Sequence, residues 1–273
     1  MMHHARLRPL VLRSLSRGRR VFAAVAGILA LFQMLLVVIA TSLQQARSFD
    51  LMSALMPLSM QQSLGPGALM LASFAGMVTF GYFHPIVVLA VIQVGIYAAT
   101  EPAGEIEWGL FDLELARPVP RGAIVTRSLL VALGVTAAIA HTVAAGTWVG
   151  LAVLAPSGAV WPSPLRILSL AAHLLMLSWV FAAAGLAAAA FARRRGTAFG
   201  AVAVVAVSLY LLNFVADAWA TAAPLRPYSP FHYFPGFAVA NGTAPVAHDL
   251  GVLAAVTAVL VVIAYWRFAR RDL

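Results

Sequence analysis

The sequence predicts an all-α polytopic membrane protein, folded as a single transmembrane domain over residues 1–273. Hydrophobic residues make up 62% of the chain and charged residues only 10%, whereas a soluble domain carries about a quarter charged residues. Apolar runs long enough to cross a hydrocarbon core of about 30 Å as helices recur along the whole chain. Charged residues are concentrated in the short segments between these runs.

Six of the apolar runs are predicted to span the bilayer. The predicted spans are approximately 21–43, 78–100, 128–154, 165–191, 197–219 and 249–266. The run that contains the second span, 68–99, exceeds one crossing, so a tilted or re-entrant approach is expected before it.

The segment ahead of the first span is basic. Arg6, Arg13, Arg17 and Arg20 fall on one helical stripe beside several leucines. This pattern favours an amphipathic helix that lies at the interface of an anionic leaflet. A disordered basic tail is the alternative.

The arginines predict the orientation. The chain has no lysine, so all 18 basic side chains are arginine, and six spans place both termini on one side. Only Arg47, Arg166 and Arg226 fall on the opposite side. By the positive-inside rule, both termini are expected in the cytoplasm and the protein in the inner membrane of a bacterium. Because the bilayer accounts for the basic charge, no nucleic-acid partner is predicted.

Several chemistries are excluded by residue type. Without lysine the chain has no P-loop lysine, kinase lysine or Schiff-base amine, and without cysteine it has no thiolate nucleophile. His141 and His173 lie in adjacent spans, but no carboxylate stands at ligand spacing from either. A histidine bonded to a backbone carbonyl is the more usual arrangement, so no metal or cofactor is predicted in this chain.

The last external loop, about 221–247, is rich in proline and aromatic residues. Tyr228, Phe231, Tyr233 and Phe234 suit a lid of short helices dipping into the outer interface, and an aromatic belt is the plainer interpretation. Asp217, near the outer end of the fifth span, is expected either to pair with Arg226 or to reach the interface.

The most polar segment is 104–122, between the second and third spans. It predicts a cytoplasmic helix from Glu105 to Ala116 that ends before Pro118. At 100° per residue the segment has two apolar arcs separated by two acidic seams. The arcs are Ile106, Leu110 and Leu113, and Trp108, Phe111 and Leu115; the seams are Glu105 with Asp112, and Glu107 with Glu114.

A helix with two apolar faces can pack against the membrane bundle on one side and lie in a groove of a soluble partner on the other. An ordinary interfacial helix has one apolar stripe. The alternative is a solvated loop whose charges only set topology, although carboxylates contribute little to topology. The residues predicted to contact the partner are Glu105, Glu107, Trp108, Phe111, Asp112, Glu114, Arg117 and Arg121.

The same segment resembles a known family. The pattern GE-x-E-x-G, followed by a leucine-rich acidic turn and R-P-V-x-R, is similar to the cytoplasmic loop of ABC exporter permeases with the type-2 transporter membrane domain. The matching residues are Gly104, Glu105, Glu107, Gly109, Asp112, Leu113, Leu115, Arg117, Pro118, Val119 and Arg121. The sequences at 84–87 and 229–233 also resemble this group. The chain departs from the pattern at Trp108, at 109–112 and at Glu114.

The resemblance implies a permease that dimerises with an identical or paralogous copy. It also implies a separate ATP-binding cassette subunit that carries ATP and Mg²⁺ and couples to the loop 101–122. The chain itself would then be a transport subunit and not an enzyme. A membrane enzyme that acts on lipid or headgroup substrates is the alternative, but the acidic side chains alternate with apolar arcs instead of converging. A passive scaffold leaves the two-faced helix without a role.

Overall fold

The fold was analysed in a computed structural model that describes residues 4–49, 51, 70–109 and 120–270. All regular structure in these ranges is helical. Six of the helical segments there are long and apolar enough to cross a membrane, which confirms the prediction of an all-α polytopic membrane protein. They are Leu7–Gln45, Phe74–Ala99, Gly122–Leu154, Pro164–Phe191, Arg195–Ala218 and Val246–Ala269.

The first helix, α1, runs without a break from His4 to Gln45. The basic N-terminal segment is helical, as predicted, and it continues into the first span without a break. Gly18 is the weakest helix former near the expected start of the span, and one glycine costs a helix only about 1 kcal/mol.

The second span consists of two helices, α2 (Phe74–Phe83) and α3 (Pro85–Ala99). His84 lies between them with extended backbone angles, φ −61° and ψ 131°. Proline disfavours the helical conformation in the residue before it, so Pro85 explains the break. The approach expected before this span, at about 68–77, lies mostly within the described residues: the chain bends at Ser73, the N-cap of α2, and α2 begins four residues before the predicted span.

A short helix, α4 (Glu101–Glu107), follows α3 after Thr100. Next come α5 (Arg121–Leu154), α6 (Pro164–Phe191) and α7 (Arg195–Ala218). Because α5 begins before residue 128, Arg127 lies within a helix and not ahead of it.

The loop between α7 and the last span contains the predicted short helices. Two 3₁₀ helices, Ala220–Tyr228 and Pro230–Tyr233, precede α8 (Gly236–Asn241), and α9 (Val246–Ala269) completes the bundle.

The helix α6 lies at the centre of the bundle. Its most apolar stretch is 67% buried, against 22% for α1, 17% for α7 and 11% for α9. Small residues allow close approach at the crossings: a Cβ on Gly146 of α5 would lie 3.0 Å from the carbonyl oxygen of Ala30 in α1, and one on Gly185 of α6 would lie 3.3 Å from Cα of Ile96 in α3. The outer surfaces of α1, α7 and α9 remain apolar and exposed.

Candidate functional site

The site is built around α4, which places three glutamates, Glu101, Glu105 and Glu107, at the arginine-rich end of the bundle. Glu101 lies in the first turn, where the helix dipole favours a negative charge, and Pro102 is accepted there because helices begin readily with proline. The helix ends at Glu107, with Trp108 as its C-cap. Gly109 then adopts φ +67°, the left-handed conformation that commonly terminates helices.

The predicted helix from Glu105 to Ala116 is therefore wrong at its start. The helix that carries Glu105 begins four residues earlier and ends at Glu107. Phe111, Asp112, Glu114 and Arg117 lie outside the described residues, as does the side chain of Arg121.

Glu105 was expected at the rim of a partner groove, but it lies inside the bundle. Its side chain is 1% exposed and pairs with Arg127 of α5, whose side chain is 2% exposed. Arg127 donates two hydrogen bonds to it, Nη1 to Oε1 at 3.0 Å and Nη2 to Oε2 at 2.6 Å. Two parallel bonds of this kind fix both the distance and the orientation of the partners. The bundle can bury these charges because they are paired.

Arg17 adds α1 to the same cluster. Its Nη1 lies 3.0 Å from Oε1 of Glu101 and 3.0 Å from Oε1 of Glu105. Two arginines and two glutamates therefore balance in charge. The ion-pair cluster, defined as Arg17, Glu101, Glu105 and Arg127, joins α1, α4 and α5.

Glu107 connects α4 to a further span. Its Oε2 accepts a hydrogen bond of 3.0 Å from the backbone N–H of Arg195, at the start of α7. The side chain of the N-cap residue Arg194 makes no capping hydrogen bond. Glu107, which is distant in sequence, caps α7 instead, and its negative charge complements the helix dipole.

The side chain of Arg195 secures the same junction. Its Nη2 donates to the carbonyl oxygen of Tyr97 at 2.6 Å, and its guanidinium lies 3.9 Å from the centre of the Tyr97 ring. Gly104 of α4 packs against it, since a Cβ there would lie 3.2 Å from Cδ of Arg195. The start of α7 is thereby held against the end of α3.

Trp108 is 67% exposed at the end of α4, and Glu107 beside it is also exposed. These two side chains, unlike Glu105, remain available to another molecule. Their role in partner contact stays a prediction.

Sequence reasoning missed Arg17, Glu101, Arg127 and Arg195. Arg17 had been placed among lipid phosphates, and Arg127 had only been counted for topology. The available signal was the small number of carboxylates: ionised side chains near membrane spans need partners, and these arginines are the nearby candidates.

His141 and His173 do not form a metal site together. Nδ1 of His173 lies 2.7 Å from the carbonyl oxygen of Ser169, while His141 is exposed. Across the parts of the chain that the structure describes, no group of three His, Asp or Glu side chains is placed to hold a metal ion.

Comparison with known protein families agrees with this architecture. A family model described as "ABC-2 family transporter protein" matches residues 12–273. The chain belongs to the ABC-2 transporter family. As an ABC-2 protein it is a multi-pass membrane permease subunit of an ABC transporter, a transport component and not a catalytic enzyme. The family also implies an ATP-binding cassette partner. A search of curated proteins gave no match for the chain.

Proposed function

We propose that this ABC-2 permease is one half of an exporter in the inner membrane of a bacterium, with both termini in the cytoplasm. In this proposal the segment 101–122 receives the movement of a separate ATP-binding subunit and passes it to the spans. The distribution of arginines supports the orientation, and the resemblance of the segment to exporter loops supports the direction.

The observation that carries the proposal is the position of Glu105 between Arg17 and Arg127. The carboxylate accepts hydrogen bonds from α1 and α5 while belonging to α4. Separating such a buried pair costs several kcal/mol. A force on α4 is therefore expected to move α1 and α5 with it.

The partner would contact the exposed side of the segment. Glu107 and Trp108 are exposed at the end of α4, and the predicted contacts Phe111, Asp112, Glu114, Arg117 and Arg121 follow directly in the chain. ATP and Mg²⁺ would be held by the partner, since this chain lacks a P-loop lysine, and no cofactor is proposed here.

A second permease copy, identical or paralogous, would complete the transporter. The exposed apolar surfaces of α1, α7 and α9 offer area for that contact as well as for lipid. The alternative of a lipid-modifying enzyme is less well supported, because Glu101 and Glu105 are both bonded to Arg17.

Co-purification tests the partner. The tagged chain, expressed at its native level, is isolated in mild detergent, and ATP hydrolysis of the eluate is measured. We expect an ATP-binding subunit to be retained and its activity to fall when Trp108→Ala or Phe111→Asp is introduced. An unmodified chain that brings no ATPase with it would contradict the proposed coupling.

Single-cysteine labelling tests the orientation, and the absence of natural cysteine makes it direct. Arg194→Cys lies exposed at the arginine-rich end and Thr243→Cys lies exposed in the outer loop. In intact spheroplasts a membrane-impermeant maleimide should label the cysteine at 243 and not the one at 194. The reverse pattern would invert the proposed topology.

A further inference from the structure

A cavity lies at the opposite end of the bundle from the ion-pair cluster. It has a volume of about 480 Å³ and is bounded by the end of α7, the 3₁₀ helices, α8 and the start of α9. Ligand sites for small molecules have volumes of roughly 300–1,000 Å³. The cavity is thus large enough for a compact organic molecule.

The fixed charges of the cavity leave it negative. Asp217 forms an ion pair with Arg226. Asn213 donates a further hydrogen bond of 3.2 Å to the carboxylate of Asp217. Asp249 is the second carboxylate of the lining and is only 5% exposed. Within the described part of the chain no arginine pairs with Asp249.

The partner of Asp249 is an imidazole. Nδ1 of His248 lies 3.0 Å from its Oδ1. A neutral imidazole can donate this bond, so the bond does not require the negative charge of Asp249 to be cancelled.

The other histidine of the lining adds no positive charge near pH 7. Burial lowers the pKa of His232, and the nearby charge of Arg226 lowers it further, while Asp249 acts in the opposite direction. The imidazole of His232 therefore stays neutral in the folded protein.

Aromatic rings form much of the remaining wall. Phe231, Tyr233, Phe234 and Phe237 all line the cavity, and Phe231 and Phe234 are themselves buried. The hydroxyl of Tyr233 donates to the carbonyl oxygen of Pro227 at 3.2 Å. The rings of Phe237 and Phe83 meet edge to face at 4.8 Å, so neighbouring groups hold these side chains in place.

We propose that this cavity binds a monovalent organic cation, an ammonium or phosphonium with an apolar body. The positive charge would lie beside Asp249, and the body would lie among the rings. Asp249 is a buried carboxylate whose bonded partner is the imidazole of His248 and not an arginine, and aromatic faces attract cations. An anion of the same shape would be repelled. This site goes beyond the proposed coupling function and does not depend on it.

Binding of tetraphenylphosphonium to the purified full-length chain in dodecyl maltoside tests the proposal. Equilibrium dialysis should give one saturable site per chain. Tetraphenylborate has the same four-phenyl shape with the opposite charge and should show no saturable binding. If the folded chain does not bind tetraphenylphosphonium saturably, or binds tetraphenylborate equally well, the proposal is overturned.

Variants test whether the negative charge of Asp249 is what binds the cation. Asp249→Asn should weaken binding by about tenfold or more, since a buried charge contact is lost, and Tyr233→Leu should weaken it by about threefold to tenfold. The control is Glu107→Gln, which also replaces one carboxylate but lies exposed at the other end of the bundle, and it should stay within about threefold of the natural chain.

Size-exclusion profiles establish that each variant is folded. If Asp249→Asn fails to fold, Tyr233→Leu and the tetraphenylborate comparison still decide the matter. An unchanged affinity in Asp249→Asn would overturn the proposal. So would an equal loss in Glu107→Gln, because the loss would then not depend on a carboxylate in the cavity.

Short-chain lipids distinguish a lipid headgroup from a soluble cation as the natural ligand. Dihexanoyl phosphatidylethanolamine carries an ammonium group, and dihexanoyl phosphatidylglycerol does not. Displacement of tetraphenylphosphonium by the first lipid alone identifies a lipid headgroup as the ligand. Displacement by neither supports a soluble cation. Equal displacement by both would contradict a site that recognises positive charge.

Discussion

Arg127 of α5 and Glu105 of α4 form a buried ion pair with two parallel hydrogen bonds, 3.0 Å and 2.6 Å long. Replacing Glu105 with Gln would remove the carboxylate that accepts two hydrogen bonds from the almost fully buried guanidinium of Arg127. We expect a loss of roughly 3–5 kcal/mol of stability. The measurement is the apparent unfolding temperature in detergent, followed by tryptophan fluorescence.

Two controls accompany that prediction. Glu107→Gln changes an exposed carboxylate and should lower the unfolding temperature much less. The double variant Glu105→Leu with Arg127→Met removes both charges and should recover part of the loss. If the double variant is no more stable than Glu105→Gln, the cost does not come from an uncompensated charge.

Trp108 provides a test of partner contact that leaves the bundle intact. Because its side chain is 67% exposed, Trp108→Ala should fold normally. The ATP-binding subunit should nevertheless bind about tenfold more weakly, since exposed tryptophans are frequent energetic centres of interfaces. Affinity is measured by titrating the partner into the purified permease. Trp219→Ala, 60% exposed at the far end of α7, is the matched control, and equal effects of the two variants would refute a local contact.

Arg17 tests whether the cluster transmits movement. In Arg17→Gln the pair of Glu105 with Arg127 remains, while the connection of α1 to Glu101 and Glu105 is lost. The ATP-binding subunit should still be retained. Its rate of ATP hydrolysis, however, should be the same with the Arg17→Gln permease as without any permease. Arg20→Gln, exposed on the same helix, should behave like the natural chain. A normal response in Arg17→Gln would argue against transmission through α1.

Gly146 tests the crossing of α1 and α5. A Cβ at this position would lie 3.0 Å from backbone oxygen and 3.2 Å from Cβ of Ala30. Gly146→Val should therefore separate the two helices and cost about 1–3 kcal/mol. Gly134→Ala is the control on the same helix, where a Cβ meets nothing within 4 Å. Thermal unfolding compares the two, and an equal shift would mean that the crossing is not tightly packed.

The membrane spans could be predicted from the sequence because span length and apolar composition are set by the bilayer. The site could be predicted only in part. Glu105 and Glu107 were recognised as important, but their partners Arg127 and Arg195 depend on how separate helix ends meet, which periodicity along one segment does not reveal. The start of α4 could have been predicted, since Glu101 and Pro102 are typical of a first helical turn, but they served only to mark the end of the preceding span at Thr100.

His84 divides the second span into two helices that have different neighbours. On one side of it, α2 ends in Phe83, which packs on Gly236 and Phe237 at the cavity wall. On the other side, α3 leads directly into Thr100 and α4. A rotation about ψ of this single residue would change the angle between the two halves while leaving each helix intact. The second span therefore consists of two separate helices, one that contacts the cavity wall and one that leads to the ion-pair cluster.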